Sequence, residues 1–447
     1  MQTALQLINP HVLQFGAPQL ESLTLMRCND FVSFASEFEP KSMKEPSFLS
    51  RASPASPSSP LNILPRLRYL SLRGVHLDWA SLGSAMASSK TGLYSLELCS
   101  HCADVRPSLS ELHQLLSHNL RLRNLVISGS GPSLPGHIDN GVDMIHHEFD
   151  GVLLPSLTSL VLGYRSSLEG QTVLQLVKAP MLKSLVLEEA TYPADPEEVD
   201  AGALLTYIGT GEFHSGKERY LVASDLFGGL HYQVKTRKDS TSSMASTSTY
   251  VGSGVEIGGR LVQDDDDDVT LVDFDTKAYP PFPALEDVTL RNVHASSMRH
   301  MNAFFSSMTN LRRLDLVGMP MHPLYTLLPD THPVNTRIEP FASTSTAPSA
   351  LLSSTIPCPS LRSISIRECD QIHGHDLNFV LHKLVTDRKA HGGCTLEDIE
   401  IQLGPNAPID SCEVRLRDGG VASMSDMLDD EHSFSAEKEG VRVNVRR

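Results

Sequence analysis

The sequence lacks any run of about 18 apolar residues, which is the length that a membrane-spanning helix requires. Residues 1–10 lack the basic segment followed by an apolar core that marks a secretory leader. The seven cysteines are an odd number and do not follow the spacing of a small disulfide-bonded domain. These three absences predict a reduced protein of the cytoplasm or nucleus that has no membrane segment.

A positive charge balance is also absent. Lysine and arginine number 37 against 53 aspartates and glutamates, so the formal net charge is −16. A general nucleic-acid binder needs a positive surface to neutralise phosphate, so no nucleic-acid partner is expected. Part of the acidic excess is the run Asp264 to Asp268, whose plain interpretation is a solvated loop.

No catalytic arrangement is legible in the sequence, which predicts a protein that is not an enzyme and holds no cofactor. One metal hypothesis remains to be weighed. Cys99, His101 and Cys102 form a C-x-H-C motif with His113 and His118 downstream, and a structural zinc site is conceivable there. The competing interpretation is a buried or turn cysteine, because Cys99 directly follows a strand leucine.

What the sequence does contain is one phrase, Pro-x-Leu-x-x-Leu-x-Leu, which recurs about ten times with aliphatic replacements. Copies with the proline begin at Pro18, Pro65, Pro155, Pro180, Pro283 and Pro359. Copies without it begin at Leu93, Leu122, Leu311 and Leu396. The last two aliphatic residues are two apart, the period of a β-strand in which alternate side chains point inward. One such unit cannot bury its own apolar face, so the copies are expected to stack into a solenoid.

Helical spacing follows several of these predicted strands. Apolar residues recur on one helix face in the segments 109–116, 173–177, 301–308 and 377–384. Strand, turn and helix repeated in one direction predict an α/β leucine-rich repeat solenoid. The expected form is a horseshoe with a parallel β-sheet on the concave face and helices and irregular loops on the convex face.

The spacing between successive strands is irregular. The last aliphatic residues of neighbouring strands lie 25 to 29 residues apart in four places, but 47, 50 and 103 residues apart in three others. The Ser-, Thr- and Pro-rich composition of these long gaps predicts disordered insertions, with degenerate repeats as the alternative.

The predicted organisation follows from these gaps. N-terminal repeats occupy 1–210 with an insert at 40–60, a low-complexity acidic insert occupies 211–281, C-terminal repeats occupy 282–404 with an insert at 320–358, and a polar charged tail occupies 405–447. Inside the large insert, 219–234 and 258–274 alternate as strands do. In the tail, 414–416 is predicted as a final strand, and 423–440 is predicted to be too polar to pack.

Two cysteines support the repeat assignment. Cys28 and Cys369 each follow the last strand aliphatic by three residues. The leucine-rich repeat accepts asparagine or cysteine at that position, because the side chain points inward and satisfies the backbone of the turn. Both cysteines are therefore interpreted as structural.

Side chains around the strand leucines form the predicted binding face. The candidates are Glu21, Thr24, Arg68, Ser71, Tyr94, Glu97, Thr158, Val161, Glu286, Thr289, Arg362 and Ser365. They mix both charge signs with small polar groups, which favours a protein partner over a membrane or a polyanion. For any one of them taken alone, the alternative is an ordinary solvated strand residue.

The repeat units, the two turn cysteines and the irregular insertions resemble leucine-rich repeat proteins of the F-box-associated type. The phrases PMLKSLVLEEA at 180–190 and PALEDVTLRNV at 283–293 resemble fungal F-box-like proteins. The resemblance covers about 20–403 without the inserts. It implies a substrate-recognition subunit of a cullin-based ubiquitin ligase, with a cullin-ligase adaptor as one partner. The F-box module itself, a helical unit opened by Leu-Pro, is not seen ahead of Pro18.

The predicted function is thus a non-catalytic protein–protein interaction module, related to the substrate-recognition proteins of ubiquitin ligases. Two alternatives stay open. The first is a leucine-rich repeat regulator of another enzyme, of the GTPase-activating or inhibitor-like kind, whose repeats are more regular. The second is a truncated relative without a ligase role. An F-box encoded upstream of Met1 would favour the ligase role over this second alternative.

Overall fold

A computed structural model of the chain describes residues 2–26, 49, 63–87, 92–101, 105–133, 151–190, 199–211, 280–329, 356–368, 374–402, 413–415, 421–423, 434–438 and 441–446. All of them belong to one unit of the chain, Met1–Ser215 together with Ala278–Arg447. The predicted inserts lie largely outside the described residues, as do Cys28, Cys369 and the strand-like stretches 219–234 and 258–274.

Helices and short strands alternate along the described chain. The helices are α1 (Gln2–Phe15), α2 (Trp79–Ala87), α3 (Leu109–Ser117), α4 (Ser167–Leu176), α5 (Gly202–Thr210), α6 (Met298–Ser307), α7 (His322–Thr326) and α8 (Gly374–Ala390). The strands are β1 (Ser22–Met26), β2 (Tyr69–Arg73), β3 (Ser95–Cys99), β4 (Asn124–Ser128), β5 (Val152–Leu153), β6 (Ser159–Tyr164), β7 (Val177–Lys178), β8 (Ser184–Glu189), β9 (Asp287–Arg291), β10 (Arg313–Val317), β11 (Ser363–Arg367), β12 (Asp398–Gln402), β13 (Glu413–Arg415), β14 (Val421–Ser423), β15 (Phe434–Lys438) and β16 (Val441–Arg446).

Twelve strands form one sheet in the order β1-β2-β3-β4-β6-β8-β9-β10-β11-β12-β16-β15. Every neighbouring pair in this sheet is parallel except β15 with β16. The strands β5 and β7 pair in one small sheet, and β13 and β14 pair in another. The chain is therefore a mixed α/β protein with a large, mostly parallel sheet, which confirms the coarse fold class predicted from the repeats.

The two strand aliphatics of each repeat form two continuous rows across this sheet. The first row runs in register from Leu23 in β1 to Ile399 in β12, and the second runs from Leu25 to Ile401. From β2 onward, every member of both rows is at most 2% exposed. The two-residue period thus sorts strand side chains onto two faces, one buried and apolar and the other open.

The proline of the repeat opens a tight turn into the strand. The amide of Leu157 donates to the carbonyl oxygen of Leu154 at 3.2 Å, which places Pro155 at the second position of a β-turn. Proline suits that position because its ring already fixes φ near the required value. In a copy without proline, the amide of Leu122 makes the same bond to Asn119 at 3.0 Å. The proline therefore stiffens a turn that the repeat forms in any case.

A second set of backbone hydrogen bonds joins each repeat to the next. The carbonyl oxygen of Arg123 accepts from the amides of Thr158 and Ser159 at 3.0 and 3.1 Å. The carbonyl oxygen of Thr158 in turn accepts from the amides of Lys183 and Ser184, both at 3.0 Å. The same pair of hydrogen bonds, from two successive amides to one carbonyl oxygen, recurs between all neighbouring repeats from β1 to β12. These bonds form one uninterrupted ladder that satisfies the backbone groups at the amino ends of the strands.

The long gaps in the repeat spacing add no strand to the sheet. β1 pairs directly with β2, β8 with β9 and β10 with β11. Across the largest gap, the carbonyl oxygen of Lys183 accepts from the amides of Glu286 and Asp287 at 2.8 and 2.9 Å, as in an ordinary pair of repeats. The hypothesis that degenerate repeats contribute strands between these pairs is therefore wrong.

The helices pack their apolar faces into the same core as the strand aliphatics. The four segments predicted from helical spacing are α3, α4, α6 and α8, and inward residues such as Leu112, Val173 and Phe304 are fully buried.

A capping box fixes the start of α3. The Ser108 side chain accepts from the Glu111 amide, and the Glu111 carboxylate accepts from the Ser108 amide at 2.8 Å.

A half-buried carboxylate connects the start of α5 to the start of α6 across the largest gap. Asp200 accepts hydrogen bonds from the Gly202 amide at 2.9 Å, the Ser296 amide at 3.1 Å and the Ser296 hydroxyl at 2.5 Å. Burial by itself would raise the pKa of the Asp200 carboxyl, but these hydrogen bonds outweigh it and hold the pKa below its usual value. Asp200 is therefore ionised at neutral pH and bridges two stretches of chain that lie far apart in sequence.

The end of the chain differs from the sequence prediction. The stretch 414–416 was predicted as the final strand, but β13 pairs with β14 in a separate sheet. Within 423–440, which was predicted to be too polar to pack, β15 pairs with β16 at the end of the large sheet. The reason lies in β16, where Val443 and Val445 stand opposite Ile399 and Ile401 and continue the two aliphatic rows. A strand needs only every second residue to be apolar, so polar composition alone does not exclude it.

The buried rows predict a strong effect for Leu160→Asp. Leu160 lies at the middle of the sheet with no exposed surface, and a charge without a partner is costly in such a place. We expect a loss of at least about 4 kcal/mol in the free energy of unfolding, measured by urea denaturation followed by circular dichroism. Val161→Asp is the matched control, because Val161 is half-buried on the opposite face and its replacement is expected to cost about 1 kcal/mol. Wild-type stability of Leu160→Asp would contradict the inward placement of Leu160.

Candidate functional site

The sheet face opposite the buried aliphatics carries side chains that are exposed or half-buried. We name it the open face, and its middle row is the residue between the two strand aliphatics of each repeat: Thr24, Ser71, Glu97, Val126, Val161, Val186, Thr289, Asp315, Ser365 and Glu400. Its amino-end row is the residue that supplies the ladder carbonyl, namely Glu21, Arg68, Tyr94, Arg123, Thr158, Lys183, Glu286, Arg312, Arg362 and Glu397. None of the residues in either row is buried.

The twelve residues predicted from the sequence all lie in these two rows. Thr24, Ser71, Glu97, Val161, Thr289 and Ser365 are in the middle row. Glu21, Arg68, Tyr94, Thr158, Glu286 and Arg362 are in the amino-end row. The same phase of the repeat also contains residues that the prediction did not name: Val126, Val186, Asp315, Glu400, Arg123, Lys183, Arg312 and Glu397. The repeat pattern was a sufficient signal for them, because each stands at a fixed distance from a strand leucine already recognised.

The centre of the open face is apolar. Val126, Val161 and Val186 lie side by side in register on β4, β6 and β8, and each is half-buried. With strands about 4.8 Å apart, the three side chains form a strip about 10 Å wide, which we name the valine strip. Beside it, a Cβ at Gly163 would lie 2.6 Å from Ser128 Oγ, so glycine is required there and leaves the floor flat. The strip is thus an apolar surface at the middle of the open face.

An aromatic side chain on the open face is held between two cations. The guanidinium carbons of Arg68 and Arg123 each lie 5.5 Å from the centre of the Tyr94 ring. Tyr69 approaches the same ring edge-on at a centroid distance of 6.4 Å and is 47% exposed. Stacking of an arginine on a ring uses the face of the guanidinium and leaves its in-plane N–H groups available to other acceptors.

The other half of the open face is charge-paired within itself. Glu286 lies 3.3 Å from Lys183 on one side and 3.6 Å from Arg312 on the other. Further along, Arg362 binds Glu397 at 2.8 Å, and Arg367 binds Asp315 through two nitrogen atoms. These pairs connect neighbouring strands, so cations from β8 onward are largely neutralised by carboxylates of the adjacent repeats.

The carboxylate of Glu97 accepts hydrogen bonds from neighbouring side chains on the open face. It accepts a hydrogen bond from the Ser71 hydroxyl at 2.9 Å and one from the Cys99 thiol at 3.4 Å. Burial raises the pKa of the Cys99 thiol to about 11, and the nearby Glu97 carboxylate adds to this effect. Cys99 is therefore a protonated thiol at neutral pH and lacks the thiolate character that a nucleophile needs.

The histidine of the C-x-H-C motif is a structural residue of the turn. His101 is fully buried, its Nδ1 lies 2.9 Å from Ser130 Oγ, and its Nε2 lies 3.1 Å from the carbonyl oxygen of Val75. His101 follows the last strand aliphatic by three residues, the same phase as Cys28 and Cys369, and its ring satisfies groups of neighbouring turns as predicted for that phase. Both ring nitrogens are thus engaged in hydrogen bonds.

The zinc hypothesis stays a prediction, because one of its two cysteines is not among the described residues. Cys102 lies outside the described residues. Among the side chains that the structure describes, no group of three or more His, Cys, Asp or Glu is arranged to hold a metal ion. His113 belongs to α3 and His118 follows it, while the Cys99 thiol and the His101 ring have the partners given above.

A buried ion pair reinforces the same turns. Glu169 in the first turn of α4 accepts from the Gly131 amide at 2.8 Å and the Arg165 amide at 3.1 Å, and it lies 3.2 Å from the guanidinium of Arg106. Ser166 caps the helix by accepting from the Glu169 amide at 3.2 Å. The cluster holds the loop after β4 against α4 and has a structural explanation without a ligand.

Comparison with protein-family models gave no match to this chain, and comparison with curated protein sequences gave none. The resemblance to F-box-like leucine-rich repeat proteins therefore stays a prediction from the repeat pattern. In the described ranges, no helix has both the length and the apolar character needed to cross a membrane.

The environment of His101 predicts a specific pH dependence. Burial lowers the pKa of the His101 ring to about 4, whereas the unfolded chain takes up that proton near pH 6.5. The unfolded state therefore binds more protons between these values, so His101 weakens the fold as the pH falls from 6.5 to 4. We expect the stability of the wild type relative to His101→Asn to fall by up to about 3 kcal/mol over this range, measured by urea denaturation at several pH values. A difference that does not change with pH would show that the ring is not held neutral.

Proposed function

We propose that this chain is a leucine-rich repeat solenoid that acts as a non-catalytic protein-binding module and binds its partner on the open face. The observation that carries the proposal is the pair of continuous side-chain rows across ten strands. Because every strand pairs in the same register, the rows align without a step from β1 to β12. A binding surface assembled from consecutive repeats is the usual function of such an architecture.

The composition of the open face supports a protein partner. Protein interfaces combine an apolar centre with tyrosine and arginine at the residues that contribute most to affinity. The open face has the valine strip at its centre, with Tyr69, Tyr94, Arg68 and Arg123 to one side. The charged pairs from β8 to β12 supply a polar margin on the other side.

The resemblance to F-box-like proteins extends this proposal to a role. The protein bound on the open face would be the substrate of a cullin-based ubiquitin ligase, and the ligase adaptor would bind elsewhere on the protein. A regulator of another enzyme would use the same face, but its partner would be that enzyme. The identity of the captured proteins distinguishes the two roles.

The test is quantitative affinity purification with face variants. The triple variant V126D/V161D/V186D places three charges in the valine strip, and V126T/V161T/V186T makes a milder change that preserves side-chain shape. Leu153→Asp is the matched control, because Leu153 is 56% exposed on β5, outside the large sheet. We expect wild type and Leu153→Asp to capture the same proteins, and the aspartate variant to lose them by about tenfold or more, with a smaller loss for the threonine variant.

Circular dichroism of each variant separates lost binding from lost folding. Capture of a cullin adaptor together with a face-dependent partner would support the ligase role. Equal capture by the wild type and by a folded valine-strip variant would contradict binding on the open face.

A further inference from the structure

Four arginines gather at the amino ends of β2, β3 and β4. Arg68 and Arg123 stand in the amino-end row on either side of Tyr94, and Arg66 and Arg121 occupy the turns two residues earlier in the same repeats. Arg66, Arg121 and Arg123 are exposed, and Arg68 is half-buried. We name these five residues the arginine–tyrosine patch.

The patch differs from the rest of the open face in its lack of counter-charge. Within the part of the chain that the structure describes, none of its four arginines lies within ion-pair distance of a carboxylate, and Arg66 binds only the Gln19 amide oxygen, at 2.6 Å. Arg312 and Arg362, which stand in the same row further along, are each paired with a glutamate. Four arginines without a described carboxylate at ion-pair distance thus lie together on a chain whose formal net charge is −16.

The donors of this patch are placed for carboxylates. The guanidinium groups of Arg68 and Arg123 each lie 5.5 Å from the centre of the Tyr94 ring, and the cation–π attraction favours these positions. Arginine N–H groups in one plane match the two oxygens of a carboxylate, which gives the stronger, charge-assisted kind of hydrogen bond.

We propose that the arginine–tyrosine patch binds an acidic segment of the partner protein. The inference rests on the proposed function, because it assigns a chemical class to the partner of the open face. Acidic side chains of the segment bind Arg68 and Arg123, and an apolar side chain beside them packs on the exposed ring of Tyr69. The next residues of the segment then reach the valine strip, since Val126 of β4 lies three positions after Arg123, which directly precedes that strand.

Charge and surroundings favour an acidic protein segment over a nucleic acid. A nucleic acid carries charge along its whole length and needs a positive track of matching extent. Here the positive region spans three strands and is bordered by Glu97 and Glu21 of the same face. A short acidic segment fits a patch of that size, and the remaining carboxylates repel a long polyanion.

The first experiment measures binding of a fluorescent peptide to the full chain by anisotropy. The probe is a ten-residue peptide of alternating glutamate and alanine, compared with the same peptide carrying glutamine and with a ten-nucleotide polyuridine. We expect the glutamate peptide to bind at least about tenfold tighter than the glutamine peptide, and its affinity to fall as salt rises.

Variants of the patch locate the site. R68E/R123E is expected to weaken the glutamate peptide at least about tenfold. K178E/K389E changes the net charge by the same amount at two exposed lysines away from the open face and is expected to leave the affinity within about twofold. Tyr94→Ala removes the ring that steers both guanidiniums and is expected to lower the affinity severalfold, whereas Tyr94→Phe keeps the ring and retains it.

Three results would overturn the proposal: no binding of the glutamate peptide, equal binding by folded R68E/R123E, or tighter binding of polyuridine than of the peptide. These results are independent of the affinity purification with the valine-strip variants. If peptide binding fails while capture still depends on the valine strip, the open face binds a partner of different chemistry. If the peptide binds through Arg68 and Arg123 while the valine-strip variants capture everything that the wild type does, the arginine–tyrosine patch is supported as a site for acidic segments. The proposal that the partner protein binds on the valine strip is then contradicted.

Discussion

The register between neighbouring strands is the constraint on which the rest of this structure depends. No single repeat has a core of its own, because its two strand aliphatics are buried only when the adjacent repeats supply the next members of both rows. The carbonyl ladder at the amino ends enforces the same register through the backbone. Since each repeat contacts only its neighbours, a long insertion is tolerated wherever the two flanking strands can still pair. The pairing of β8 with β9 across 103 residues is the clearest case.

The same constraint creates the open face. When the aliphatics of neighbouring strands stand opposite each other, the residues between them must do so as well, and polar side chains from distant parts of the sequence become neighbours. Lys183, Glu286 and Arg312 form one charged series in space although they belong to three repeats. The face is thus a consequence of core packing, and its chemistry is free to vary because none of its side chains is needed for burial.

The repeat pattern was sufficient to predict the ten strands β1–β4, β6 and β8–β12, four of the helices and the residues that face outward. It also contained unused information. His101 stands at the phase already assigned to Cys28 and Cys369, and the alternating valines of β16 mark it as a strand despite its polar surroundings. The placement of Arg68 and Arg123 on either side of the Tyr94 ring could not be predicted from the sequence. It depends on which side chains meet across strands that are 26 and 29 residues apart, and on how two long arginine side chains are oriented.

The unequal distribution of charge along the open face bears on how the surface is used. Exposed ion pairs contribute about 0 to 1 kcal/mol each to stability, so the pairs from β8 to β12 have little value as a source of stability. Their larger effect is to cancel the attraction that their cations would exert on an approaching molecule. The arginines that precede β2 and β4 have no ion-pair partner among the described residues, and they lie towards one end of the face. A partner that carries negative charge is therefore oriented before contact, and the apolar valine strip lies where the uncharged part of that partner would arrive.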